Sequence, residues 1–368
     1  MTAVAPTRPT RWRFSPLGLF EALATPHGVD RYLELVNPML TVRDLRAEVT
    51  EVHRSTADTV TLTLRPTRQW RGFQAGQFVQ VTVEIDGVRR TRCYSPACSQ
   101  YRDDGRIELT IKAHPDGIVS QFLHANAAPG LVVGLAQAAG TFQLPQERPG
   151  HVLFISGGSG ITPVLSMLRT LCDEGYAGQV TFLHYGYTEQ DIGYRDELVA
   201  LAAQHDNVRL VLAYTDQADG GDLHGYFGQE HLEAVAPWHA DAETFLCGPP
   251  GLMASVRSLY AERGLINRLH FEDFAPAPIV ADRDSTGAVS FDRTGRSADN
   301  SGATLLEQAE AAGLTPAYGC RMGICFSCTQ IKTSGCTRNI RTGAIDADPD
   351  TEIQLCISVP VGDVALDL

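Results

Sequence analysis

Apolar and polar residues alternate along three stretches in the first third of the chain. Asp58-Thr-Val-Thr-Leu-Thr-Leu-Arg65, Gln77-Phe-Val-Gln-Val-Thr-Val-Glu84 and Arg106-Ile-Glu-Leu-Thr-Ile-Lys112 each have a period of two. That is the signature of a half-buried strand. Gly72, Gly76 and Asp86-Gly87 supply turns between them. The spacing predicts an antiparallel barrel over residues 41–145. At His151 the rhythm changes. His151–Ser156, Gln179–Tyr185 and Val208–Tyr214 are short apolar runs, and helical patterns over Val164–Glu174 and Arg195–Gln204 lie between them. Strand alternating with helix predicts a parallel α/β sheet, assigned to 146–274. A Pro-bearing linker follows at 275–284. Residues 285–368 begin again with a strand over 287–291, a helix over 304–312 and a cysteine-rich segment. Residues 1–40 form a leader.

Composition adds limits. The 368 residues are 43% hydrophobic and 20% charged, the balance of a soluble globular protein with several domains. The net charge of −13 speaks against a nucleic-acid partner. No apolar run is long enough to span a bilayer, so membrane contact is peripheral at most. Pro16 and Glu21 interrupt the apolar stretch near the start, which does not read as a secretory signal. A cytoplasmic protein is expected, with contact at the inner face of the plasma membrane as the outer limit.

Nine cysteines are too few for a disulfide scaffold, and four of the five in the C-terminal segment fall into one pattern. Cys320-x4-Cys325-x2-Cys328, followed by Cys356, has the plant-type spacing of a [2Fe–2S] cluster. Gly319 and Gly323 let such a loop turn tightly, and Arg321 is placed to offset negative charge. A structural zinc site is the alternative, although zinc sites usually pair two C-x2-C knuckles. Gly157-Gly-Ser-Gly-Ile-Thr-Pro163 lies between a strand and a helix, where glycines let a backbone approach a pyrophosphate. Thr162 is expected as the N-cap and Pro163 as the first helical residue. An ordinary strand-to-helix turn is the bland alternative. Arg92-Cys-Tyr-Ser95 combines a phosphate-pairing, a stacking and a hydrogen-bonding side chain. Cys247-Gly-Pro-Pro250 follows an apolar run, as a loop at the edge of a parallel sheet does.

The order of these four motifs resembles the ferredoxin–NADP reductase superfamily. More narrowly, it resembles oxygenase-type reductases with a C-terminal plant-type ferredoxin domain, over residues 41–368. The resemblance implies an FAD-binding barrel, a Rossmann-like NAD(P)-binding domain and a β-grasp ferredoxin domain. It implies that Arg92, Tyr94, Ser95, Lys112, Gly117, Val119 and Ser120 bind the flavin. Gly158, Gly160, Thr162, Pro163, Cys247, Gly248 and Pro249 would hold the nicotinamide nucleotide, with Glu272 and Phe274 at the flavin face. Ser95, Cys247 and Glu272 would be catalytic, and Cys320, Cys325, Cys328 and Cys356 would ligate iron. The variant of R-x-Y-S that accompanies FMN is missing, which favours FAD. Cys98 stands where relatives often have serine. Tyr187 stands where an arginine is common, and Arg195 is the nearest cation, so NADPH and NADH both remain open.

The implied activity carries electrons from NAD(P)H through FAD and [2Fe–2S] to an oxygen-activating partner. Ala24–Arg43 is similar to an extension on actinobacterial reductases serving membrane-bound di-iron acyl-CoA desaturases, so such a desaturase is the expected acceptor. An arm packed on the barrel is the alternative for this segment. Phe14, Leu17, Phe20 and Leu23 would give it an apolar stripe. The alternative acceptors are a ring-hydroxylating, alkane or cytochrome P450 oxygenase. An iron–sulfur redox sensor is the alternative from another class.

Overall fold

The computed structural model describes residues 29–115, 117–274, 286–324 and 326–368. The stripe Phe14–Leu23, the linker and Cys325 therefore lie outside the described residues. The described chain opens with a short helix, α1 (Val29–Glu34). Asp30 tethers it by accepting backbone N–H bonds from Val42, Arg43 and Asp44 at 2.5–2.8 Å. Glu34 pairs with Arg46 at 3.1 Å. This part of the arm is thus fastened to the first strand of the barrel.

Six antiparallel strands follow: β1 (Arg46–Thr56), β2 (Thr59–Pro66), β3 (Val79–Ile85), β4 (Val88–Tyr94), β5 (Ile107–Lys112) and β6 (Val132–Leu135). Their order is β4-β3-β6-β1-β2-β5. A bridge between Pro96 and Leu109 joins the two edges and closes the sheet into a barrel. Alternation decides which side chains fill it. Along β5, Ile107, Leu109 and Ile111 are buried, while the residues between them are only partly so. The helix α2 (Ile118–Asn126) sends Val119 and Leu123 into the same core.

The second sheet is parallel, with β7 (His151–Gly157), β8 (Gln179–Gly186), β9 (Val208–Tyr214), β10 (Leu223–His224), β11 (Glu243–Cys247) and β12 (Leu269–Glu272). Its order is β10-β9-β8-β7-β11-β12. Along β7, Val152 and Phe154 enter one core and Leu153 and Ile155 another. Both faces are covered, as a parallel sheet requires. The helices are α3 (Ile161–Asp173), α4 (Arg195–Gln204), α5 (Gln229–Val235) and α6 (Pro250–Glu262). The chain leaves β7 toward β8 and returns on the other side as β11. This places a topological switch point at the carboxyl ends of β7 and β11.

One charged network ties these two units together. Arg169 of α3 reaches the barrel at Glu108 (2.8 Å) and at the Ala97 carbonyl (2.7 Å). It also holds both carboxylate oxygens of Glu197 in α4 at 2.6 Å. Tyr194 donates to Glu108 at 3.1 Å.

The third unit is a mixed sheet, with β13 (Ala288–Phe291), β14 (Arg296–Asp299), β15 (Thr329–Asn339), β16 (Ile345–Asp346), β17 (Thr351–Gln354) and β18 (Ser358–Leu366). The order is β14-β13-β18-β15-β16, and β17 pairs with β15. Helix α7 (Leu305–Ala311) starts in a capping box between Thr304 and Glu307 and buries Leu305 and Leu306 against the sheet.

Candidate active site

A cleft of ≈ 290 Å³ opens where the three units meet. This is at the small end of ligand pockets. The barrel contributes Arg92, Tyr94 and Ser95 from the end of β4, Thr110 and Lys112 from β5, and Gly117 and Ser120 from the start of α2. The parallel domain contributes Ser159, Thr162, Glu272 and Phe274, and the third unit contributes Cys320, Arg321, Met322 and Ile324. Residues remote in sequence converge here because β4 and β5 end at the same rim, facing the carboxyl end of β12.

Two polar side chains in the cleft are buried without complete hydrogen bonding. Ser95 Oγ and Glu272 Oε2 lie beside one another but have no well-aligned partner. Buried polar groups are normally satisfied, so this pair suits a ligand that supplies the missing bonds. Burial pushes the Glu272 carboxyl up to about 8; the Arg341 guanidinium and the Ser95 hydroxyl only partly oppose it. Burial likewise pushes the Tyr94 phenol upward.

Other residues are already engaged. Arg92 donates to the Gly319 carbonyl at 3.1 Å and to the Thr91 carbonyl at 2.8 Å. Lys112 pairs with Asp58 at 3.2 Å. Ser120 Oγ donates to the Gly117 carbonyl at 2.9 Å and so shapes the start of α2. A Cβ at Gly117 would run into that hydroxyl. The Val119 side chain is fully buried in the barrel core, so only its backbone can face a ligand at this helix start.

At the switch point the glycines do different jobs. Gly158 has φ +53° and starts a tight turn. A Cβ at Gly160 would strike the Cys247 carbonyl and the Gly248 amide. A Cβ at Gly157 would strike the Pro249 ring. The loops 157–160 and 247–249 thus pack backbone against backbone. Thr162 and Pro163 also need correcting. The N-cap is Gly160, because the 3₁₀ turn Gly158–Gly160 leads straight into α3. Thr162 instead donates to the Ser159 carbonyl at 3.3 Å. Pro163 stays within the first turn, where its missing N–H costs nothing. Cys247 is fully buried and pairs in register with Ser156 and Glu272. Burial, then the Glu272 and Asp273 charges, raise its thiol well above the ordinary range.

In the third unit Cys320, Cys328 and Cys356 are all buried. The Cys356 thiol contacts both other sulfurs, which raise its pKa, while Cys328 is pulled down to about 7 chiefly by Cys356. The loop is wound tightly: Gly323 has φ +74°, and Arg321 and Phe326 also have positive φ. A Cβ at Gly323 would strike Ile357. Arg321 pairs with Glu310 and lies over the Tyr318 ring, so its charge is spent within the domain rather than on the cysteines. Among the described residues no set of three or more His, Cys, Asp or Glu side chains converges on a single metal-ion position.

Sequence patterns did not signal Thr110, Met322, Ile324 or Arg341. Arg341 donates to the Met322 carbonyl at 3.1 Å and acts electrostatically on Glu272. Only the docking of the third unit brings it there.

Comparison with known proteins agrees with this geometry. An oxidoreductase FAD-binding domain model matches residues 46–144, and an oxidoreductase NAD-binding domain model matches 154–258. An NADPH oxidoreductase of Mycobacterium tuberculosis is 37% identical over 350 residues, 94% of this chain and 90% of the relative. A glycine betaine monooxygenase reductase subunit of Pseudomonas aeruginosa is 34% identical over 319 residues, 80% of this chain and 87% of the relative. The solved structure of phthalate dioxygenase reductase shares the fold, with a TM-score of 0.59 at 24% identity over 89% of this chain and 98% of that one. The chain is an oxidoreductase with an FAD-binding and an NAD-binding domain, and it belongs to the ferredoxin–NADP reductase superfamily.

Proposed function

We propose that this enzyme is the reductase component of an oxygenase system, carrying electrons from a nicotinamide nucleotide to an oxygen-activating protein. The observation that carries the reading is the three-sided cleft, in which Ser95 and Glu272 meet the loop bearing Cys320. The orphaned Ser95 and Glu272 atoms fit a flavin ring, and the buried Cys320, Cys328 and Cys356, the last two brought together by the Leu355–Cys328 backbone bond, fit a thiolate-held cluster. Bound FAD would supply the hydride acceptor for NAD(P)H, and a bound [2Fe–2S] cluster would supply one-electron transfer toward the partner.

The chain's own residues orient and shield. Tyr94 would stack on the flavin ring, with Arg92, Lys112, Gly117, Val119 (through its backbone) and Ser120 around the rest of the cofactor. Gly158, Gly160, Thr162, Pro163, Gly248 and Pro249 would hold the nucleotide phosphates and nicotinamide. Ser95, Cys247 and Glu272 would flank the reacting atoms, with Phe274 excluding water. Cys320, Cys325, Cys328 and Cys356 would hold the iron, in a third unit read as a β-grasp ferredoxin domain.

The names of the relatives point to oxygenases as the acceptor class. A membrane di-iron acyl-CoA desaturase is the narrower reading, resting on the segment Ala24–Arg43. No helix among the described residues is long and apolar enough to cross a membrane, so such a partner would be met at the surface. In the test, Cys325→Ala abolishes reduction of a protein acceptor while dye reduction at the flavin survives. Acceptor turnover at the parent rate would remove the relay. Stearoyl-CoA conversion by washed membranes, only when the enzyme and NADH or NADPH are added, would establish the desaturase. No conversion by membranes that are active with another donor would point to soluble oxygenases.

A further inference from the structure

The end of the second strand of a βαβ unit decides which nucleotide it accepts. An acidic residue there suits a free ribose 2′-hydroxyl, and a basic one receives a 2′-phosphate. In this chain that position is the segment Tyr187–Asp196 after β8. Resting on the reductase reading above, we propose that the enzyme takes NADH and turns NADPH away, because acidic residues outnumber basic ones at the ribose end of its nucleotide site and the one cation there is held by Glu189.

Arg195 is the single basic residue between Gly186 and Asp196, against Glu189, Asp191 and Asp196. Its guanidinium holds Glu189 at 2.7 Å and approaches Asp196 at 3.6 Å, while its Nε–H is buried without a partner. A phosphate arriving here would have to break these contacts and release Glu189. Thr188 is occupied too. Its hydroxyl donates to Asp191 at 2.7 Å and its amide at 3.0 Å, closing a capping box. The loop after β9 lies against this segment: the Asp216 amide bonds the Tyr187 carbonyl at 2.9 Å, and the Glu189 amide bonds Gln217 at 3.0 Å. The backbone of another acidic residue, Asp216, is thereby brought alongside. His224 of β10 is engaged with the Gln217 carbonyl at 3.1 Å.

The start of α4 offers no compensation. A helix N-terminus attracts an anion. Here its first turn carries Asp196 and Glu197, so the chain's own carboxylates occupy that field. A 2′-phosphate adds close to two negative charges at neutral pH. It would meet like charge, whereas a free 2′-hydroxyl can donate to a carboxylate. Discrimination built on repulsion of the wrong ligand is a general route to specificity. It would separate this chain from its M. tuberculosis relative, which is named for NADPH.

The test compares initial rates of ferricyanide reduction by the full holoenzyme with NADH and with NADPH at low ionic strength. Calorimetric titrations with 5′-AMP and 2′,5′-ADP run alongside as a readout independent of turnover. The expected result is a kcat/KM for NADH at least about tenfold higher, expressed in KM, with 5′-AMP the tighter binder by a similar factor. Added salt narrows the gap by screening. Glu189→Arg narrows it further, by raising NADPH efficiency at least about tenfold. Equal or better use of NADPH, or tighter binding of 2′,5′-ADP, overturns the proposal. A gap that survives both high salt and Glu189→Arg overturns its electrostatic cause. Oxidation of neither nucleotide would overturn the reductase reading itself, and this inference with it.

Discussion

Arg92 Nη1 donates to the carbonyl oxygen of Gly319 at 3.1 Å, so a residue of the flavin-side barrel holds the residue next to Cys320. Both Arg92 and Cys320 line the cleft. A hydrogen bond from a charged donor contributes about 1.5–3 kcal/mol. Arg92→Met should therefore loosen the cysteine loop, raising amide hydrogen exchange at Cys320–Met322 by about tenfold or more. Reduction of a protein acceptor should fall further than reduction of ferricyanide. Unchanged exchange in that loop would show that Arg92 does not hold it.

Glu272 makes stability depend on pH. Burial pushes its carboxyl up from 4.5 to about 8 in the folded protein. Between those values the folded state keeps a proton that the unfolded chain has lost. The contribution is whole below about pH 4.5 and is lost as pH rises toward 8, by about 4–5 kcal/mol in all. Glu272→Gln should flatten this slope and be more stable than the parent at pH 8, by denaturant titration. Parallel pH profiles for parent and variant would mean that Glu272 ionises as an exposed carboxyl does.

Arg169 neutralises Glu108 and Glu197 at the junction of barrel and parallel domain. Removing it strands the Glu108 carboxylate, while the partly exposed Glu197 can still be solvated. Arg169→Met should cost about 3 kcal/mol and lower Tm by roughly 4–6 °C. Adding Glu108→Gln should recover part of that loss, since a neutral amide is cheaper to leave buried. A double variant no better than the single one would place the cost elsewhere.

Gly160 is a steric requirement. The neighbours of an added Cβ are the Cys247 carbonyl and the Gly248 amide, which are backbone and cannot rotate aside. Gly160→Ala should push the two loops apart, costing about 1–3 kcal/mol. The KM for the nucleotide should rise about tenfold with the flavin spectrum retained. A parent-like KM would mean that the contact of these loops is irrelevant to nucleotide binding.

Local pattern determined the elements of the first two units. The period of two in Thr59–Pro66 and Ile107–Lys112, and the apolar runs at His151–Gly157 and Val208–Tyr214, became strands within a residue or two of their expected ends. Arg195–Gln204 became the expected helix. Periodicity reports which face is buried, and that survives without knowledge of the partner face. The same chemistry made the cysteine loop and the glycine turn visible, because spacing and small residues are local properties. What faces what is not local. Lys332 carries a charge, yet it is fully buried, its ammonium held by Asp346 at 2.8 Å once β16 pairs with β15. Val119 went to the core and Arg92 to Gly319, because α2 and the third unit pack where they do. The Glu272 proton likewise depends on burial beneath Ser95 and near Arg341, three residues from three separate units. Only tertiary structure could decide these, since desolvation and charge pairing depend on distance in space and leave no period in the chain.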